Sequence, residues 1–254
     1  MHRPPPVGAW GPRGAGKDLP FPPSNNTGSF MAEIGANVAR VRARIAEAAG
    51  RGGRRPESVL LVAVTKTVEV DRIREAVACG LRVLGENRVQ EARAKAPEVP
   101  GAVWHLIGSL QRNKVKEALR LFEVIHSVDT LSLAQEISER AGAAGAEADV
   151  LIQVNISEEP QKHGVLPEDA ERLVAEASRL PRLRVRGLMG MAPLVAAAEE
   201  ARPFFRRLRE LRDRLREALP HARLDDLSMG MTDDFEVAIE EGSTMVRVGR
   251  ALFA

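Results

Sequence analysis

From residue 58 onward, short apolar runs alternate with helical patterns about eight times along this chain of 254 residues. That rhythm constrains the fold more than any other feature. The runs Val59–Val64, Leu81–Leu84, Val103–Ile107, Phe122–Val128, Val150–Val154, Leu183–Leu188, Arg223–Leu227 and Thr244–Val248 read as strands. Between them, stretches such as Asp71–Cys79, Asn113–Leu121, Ser132–Arg140, Pro167–Leu180 and Ala201–Leu219 carry apolar residues at helical spacing. Eight βα units with short connections predict a single parallel (β/α)8 barrel of the TIM type, with an open doubly wound sheet as the alternative. The amphipathic stretch from Met31 to about Ala49 is expected to close the ring as an N-terminal helix, where an eighth crossover helix would otherwise sit.

Residues 1–30, "MHRPPPVGAWGPRGAGKDLPFPPSNNTGSF", are rich in Pro, Gly and Ser without an apolar period. They are expected to form a disordered leader ahead of a barrel domain at 31–254, with Met31 as a natural start. No signal-peptide core is present in them. Within them "GPRGAGKD" has the spacing of a phosphate-binding loop, but Asp18 stands where a metal-binding Ser or Thr belongs and no strand precedes it. The formal charge of +2 and the lack of a basic tract interleaved with aromatics argue against nucleic acid as a partner. The single cysteine, Cys79, permits no internal disulfide, so a reducing, cytoplasmic location is expected. No apolar run approaches the roughly 20 residues of a membrane span.

The stretch "LLVAVTKT" (60–67) runs a doubly buried strand straight into Lys66. Lysine is scarce here, occurring only at positions 17, 66, 95, 114, 116 and 162, while arginine supplies the other cations. A lysine amine can deprotonate and react where a guanidinium cannot. In a barrel the active groups gather at the C-terminal ends of the strands, and a phosphate site commonly lies after the last two. There "LSMGMTDD" (227–234) and "VRVGRALFA" (246–254) offer Ser228, Gly230, Gly249 and backbone amides as an anion cradle, with a helix start near Thr232, Asp233 and Asp234. Strands one and eight adjoin in a closed barrel, so Lys66, Arg247 and these turns would face one mouth. A lysine amine beside a phosphate cradle suits a Schiff base with the aldehyde of pyridoxal 5′-phosphate. The plain alternative is a solvated lysine at a strand end and βα turns that need glycine.

Several segments in order carry a further resemblance: "LLVAVTKT", "LGENRVQEA" (84–92), "WHLIGSLQRNK" (104–114), "HSVDT" (126–130), "VLIQVNIS" (150–157), "QKHGV" (161–165), "LRVRGLMGM" (183–191) and "LSMGMTDDFEVAIEEGSTMVRVG" (227–249). Over residues 31–254 the chain resembles the pyridoxal-phosphate homeostasis proteins, the YggS/PROSC-like group, whose fold is similar to the barrel domain of alanine racemase. The resemblance implies that Lys66 is the Schiff-base lysine. It implies that Ser228, Gly249 and Arg250 hold the phosphate, that Arg247 faces the pyridine nitrogen and that Asn87 lines the ring pocket. Arg250 departs from the family pattern, in which a small residue such as threonine is more usual.

His105 is open to a ligand or acid–base role and equally to a structural one, and His163 falls in a loop. Gln111, Asn113 and Lys114 suit either pocket support or helix capping. No His/Cys/carboxylate cluster has metal-ligand spacing. The function implied is intracellular homeostasis of the vitamin B6 cofactor, by buffering it or delivering it to apo-enzymes, from a monomer or weak dimer. The alternative is a pyridoxal-phosphate-dependent enzyme acting on amino acids, such as a slow racemase. In alanine racemase the partner base to the lysine is a tyrosine supplied by an additional β-domain. This sequence contains no tyrosine and ends at Ala254, so efficient racemisation is not expected.

Overall fold

The structure is a computed structural model that describes residues 27–254, with side chains from Glu33 onward. The expected leader and the "GPRGAGKD" segment lie outside the described residues, apart from 27–30, which open the first helix. Helix α1 (Thr27–Arg51) precedes β1 (Leu60–Val64), α2 (Val70–Ala78), β2 (Val83–Glu86), α3 (Val89–Lys95) and β3 (Val103–Leu106). There follow α4 (Val115–Leu121), β4 (Val124–Val128), α5 (Leu131–Ala143), β5 (Ala148–Val154), α6 (Ala170–Ala177) and β6 (Leu183–Gly190). The chain continues through α7 (Arg202–Ala218), β7 (Asp226–Met231), α8 (Phe235–Glu240), β8 (Met245–Val248) and α9 (Arg250–Phe253). All eight strands are parallel and pair in sequence order into a closed barrel, β8 returning to β1 with Val62 opposite Arg247. The open-sheet alternative is thereby excluded.

Side-chain alternation divides the apolar residues into two populations. Val62, Val83, Val124, Leu151, Met189 and Met245 point inward and fill the barrel. Their neighbours Ala63, Leu84, Ile125, Val150, Leu188 and Val246 point outward and pack beneath the helices. Helix α1 sits at the β8–β1 seam as expected. It buries Ile34, Val38, Val41, Ile45 and Ala48 against α2, α8 and α9, and Asn37 Nδ2 donates to Leu252 O at 3.3 Å. No helix among the described residues is long and apolar enough to cross a membrane.

Most strands shift by one or two residues at one end, and two strands are displaced along the chain at both ends. β2 begins at Val83, because Leu81 still donates its N–H to Ala76 O in the α2 terminus around Gly80. β7 begins at Asp226 rather than Arg223 and runs to Met231. Asp225 and Asp226 mask its start as a loop, yet the backbone pairs onward, with Leu227 opposite Leu188 and Ser228 opposite Met245. Ser228 therefore lies within a strand rather than in the turn after it.

The lower, N-terminal end of the barrel is charged. Asp149 and Asp226, both buried, flank Arg186, whose Nε lies 3.0 Å from Asp226 Oδ2 and whose Nη1 lies 3.3 Å from Asp149 Oδ2. Arg184 adds a second cation, 2.6 Å from Glu147 and paired with Asp149.

Candidate functional site

At the upper end β1 gives way to a four-residue turn, Thr65–Val68, closed by Val68 N–H donating to Thr65 O at 3.0 Å. Lys66 and Thr67 are its central residues, both exposed at the mouth. Thr67 has φ +62°, the left-handed region that glycine usually fills at this turn position. For a residue with a Cβ that conformation costs about 1–2 kcal/mol.

Across the seam from β1, strand alternation sends Arg247 into the barrel. Only 4% of it is exposed. Its Nη1 donates to Ser228 O at 2.8 Å and Ser228 Oγ at 2.6 Å, and its Nη2 donates to Gly190 O at 3.1 Å. All three acceptors are neutral, and no carboxylate among the described residues pairs with this guanidinium. Burial pulls its pKa down to about 10, against the more distant pull of Asp234. An ion left without a counter-charge in such a place costs several kcal/mol. The mouth is thus built to receive an electron-rich or anionic group.

The hydrogen bonds continue inward. Ser228 Oγ, which accepts from Arg247, shares a hydrogen bond with His126 Nδ1 at 3.0 Å, and His126 Nε2 shares one with His105 Nδ1 at 3.0 Å. A neutral tautomer of each ring satisfies the chain in either sense. Both imidazoles are fully buried. Burial pushes His105 down to about 3 and His126 well below its ordinary value, so both rings are neutral. Of this relay His105 was weighed from the sequence but His126 was not. Its signal was present in the spacing, two residues after inward-facing Val124 on β4.

The remaining candidates ring the same mouth. Gly249 follows Arg247 by two residues, and a Cβ there would sit 3.3 Å from Val64 Cβ and from Val64 O. Arg250 opens α9 and is exposed, its guanidinium paired with Asp233 from the turn after β7. In that turn Asp234 Oδ1 accepts from Met231 N–H at 2.6 Å, fixing the loop ahead of α8. Gly230, at φ +94°, could hold no side chain, because a Cβ would meet Ala238 Cβ at 2.6 Å. Asn87 leaves β2 at the rim, half-buried, with its backbone so close to Gly108 that a Cβ on Gly108 would lie 2.3 Å from Asn87 O.

Lys66, Asn87, Ser228, Arg247, Gly249 and Arg250 thus all belong to the upper end of the barrel. His163 is exposed in the loop after β5, where its carbonyl accepts from Gln153 Nε2 at 3.1 Å. Gln111 and Asn113 are exposed and Lys114 half-buried in the short helical turn before α4. None of the three has a hydrogen-bonded side chain within the relay.

The barrel has counterparts among known proteins. Residues 33–254 match the family model "Alanine racemase, N-terminal domain". A pyridoxal phosphate homeostasis protein from Aquifex aeolicus is 46% identical over 222 residues, covering 85% of this chain and 95% of that one. The protein of the same name from Pseudomonas aeruginosa is 45% identical over 225 residues, covering 88% and 96%. PipY of Synechococcus elongatus, solved with pyridoxal phosphate bound, superposes with a TM-score of 0.78 at 38% identity, covering 87% of this chain and 100% of that one. The fold and family are therefore those of the alanine racemase N-terminal barrel. Within them, the chain belongs to the pyridoxal phosphate homeostasis proteins.

Proposed function

We propose that this barrel binds pyridoxal 5′-phosphate covalently through Lys66 and takes part in its homeostasis by buffering the free aldehyde and releasing it to enzymes that need it. The observation that carries this reading is the buried Arg247 guanidinium without a counter-charge, one strand away from the Lys66 turn. The fit is chemical as well as spatial. When bound, the cofactor supplies an aldehyde for attachment and a pyridine ring that withdraws electrons strongly once protonated. Lys66 offers the amine, and Asn87 bounds the ring pocket from β2. Arg247, held by Ser228 and Gly190, meets the ring nitrogen. Its positive charge disfavours a proton there, so the ring is held more than used. Gly249 keeps the backbone open beside Val64, and with Ser228 and Arg250 it forms the phosphate end of the site.

This assignment has a direct test in borohydride reduction of the loaded protein followed by peptide mapping. The label is expected on Lys66 and is expected to vanish in Lys66→Ala. Label on Lys114 or Lys162 instead, or no adduct at all, would sink it.

Catalysis on amino acids is the competing reading, and the sequence weighs against an efficient racemase because it offers no tyrosine as a second base. Neutral, fully buried His105 and His126 are spoken for by the relay to Arg247. With the loaded protein in deuterated water, the Cα proton of L-alanine is expected to exchange far more slowly than the roughly 1–10³ per second of ordinary enzymes. Exchange at such rates that disappears in Lys66→Ala would restore the enzyme reading.

A further inference from the structure

Lys95 has no part in the site as described so far. It is one of only six lysines in an arginine-rich chain, and its amine is nearly enclosed, with 14% of the side chain exposed. Its Nζ donates to Glu86 Oε1 at 2.8 Å and to Thr65 O at 2.8 Å. Glu86 is completely buried, and its Oε1 also accepts from Thr65 Oγ1 at 2.7 Å, while its Oε2 has no hydrogen-bond partner among the described residues. Charge balance for this carboxylate therefore comes from Lys95.

The placement in the chain is what matters. Thr65 directly precedes Lys66, and Glu86 directly precedes Asn87. Thr65 O is also the carbonyl that accepts from Val68 N–H to close the turn containing Lys66 and left-handed Thr67. Two donors, one backbone and one ammonium, thus converge on a single oxygen of the turn. We infer that Lys95 and Glu86 form a latch behind the barrel wall that holds the strained Thr65–Val68 turn closed and so sets where the Lys66 amine is presented, with Lys95 a positioning residue for covalent attachment. A compact ammonium fits between the carboxylate and the carbonyl, and the broad guanidinium used elsewhere in this chain does not reproduce that single-point grip. The consequence for Lys66 rests on the proposed covalent role, whereas the latch itself does not.

The experiment uses the full chain with Lys95→Met and Glu86→Gln combined, so that no unpaired buried charge remains to unfold it. In the cofactor-free protein, hydrogen exchange at the Val68 amide is expected to accelerate at least about tenfold. Attachment of pyridoxal 5′-phosphate to Lys66 is expected to slow by about ten- to a hundredfold. Adding Thr67→Gly, which relieves the left-handed strain, should recover part of the attachment rate. Unchanged Val68 exchange in the double variant would overturn the latch, whatever the cofactor does. Faster exchange with unchanged attachment would overturn its role in presenting Lys66. If the parent chain formed no Lys66 adduct, the functional reading would fall, and the exchange measurement would still decide the latch.

Discussion

The two ends of the barrel interior handle charge in opposite ways. At the base, Arg186 stands between Asp149 and Asp226, and Arg184 answers Asp149 and Glu147, so each charge has a partner within the fold. At the mouth, Arg247 is buried as deeply as those aspartates but rests on a hydroxyl and two carbonyls, all neutral. Neutral His126 and His105 extend that arrangement and add no charge. Ion pairs closed upon themselves answer their own charge and ask nothing of a ligand. A buried cation left open indicates where a ligand completes the fold.

The contrast should appear first as pH dependence. His105 has a folded value of about 3 against an ordinary 6.5. Its contribution is full above pH 6.5 and lost as pH falls toward 3, amounting to about 5 kcal/mol at most. Asp226 at the base works in the other sense. Its folded value of about 6 lies above the ordinary 3.8, so its contribution is full below pH 3.8 and lost as pH rises through 6. Thermal melts of the cofactor-free protein between pH 3 and 7 should show stability rising with pH, a slope flattened in His105→Asn and steepened in Asp226→Asn. A His105→Asn profile parallel to the parent's would break the comparison.

Substitution should then separate the two ends. Arg186→Met strands two buried aspartates and is expected to cost about 3–5 kcal/mol in denaturant unfolding, while attachment at Lys66 continues in the fraction that stays folded. Arg247→Met is expected to do the reverse. Removing the open cation relieves its burial cost but leaves Ser228 O, Ser228 Oγ and Gly190 O without their donor, and these opposing effects leave cofactor-free stability within about 1 kcal/mol of the parent, whereas affinity for pyridoxal 5′-phosphate falls roughly 10- to 100-fold. If Arg247→Met proved as destabilising as Arg186→Met without loss of affinity, the mouth would be another structural cluster.

The barrel was legible because strand and helix periods alternate cleanly, and Lys66 and Arg247 stood out because each ends or interrupts an apolar run. The start of β7 was not legible, since Asp225 and Asp226 look like a loop until Arg186 on β6 is known to receive Asp226. His126 and the Glu86–Lys95 pair were hidden for a related reason. Their roles depend on which positions of separate elements meet, as Glu86 meets Thr65 with a separation of 21 and Ser228 meets His126 with a separation of 102, and no local pattern records that. Arg250 was expected at the phosphate end and noticed as a departure from the family pattern, but its pairing with Asp233 required the two turns to be seen together.

The β8–β1 seam has a consequence for how the protein is made. Helix α1 emerges early in synthesis, yet Asn37 bonds to Leu252, 215 residues later, and β1 has no second neighbour until β8 arrives. Until then the nascent chain carries an open strand edge and the bare apolar face of α1, both invitations to wrong partners. Lys66 and Arg247 lie on opposite sides of that seam, so the mouth is assembled only once β8 has joined β1. A ligand gripped by both would act as a clasp on the finished ring, slowing its reopening by favouring the closed state over every partly assembled one.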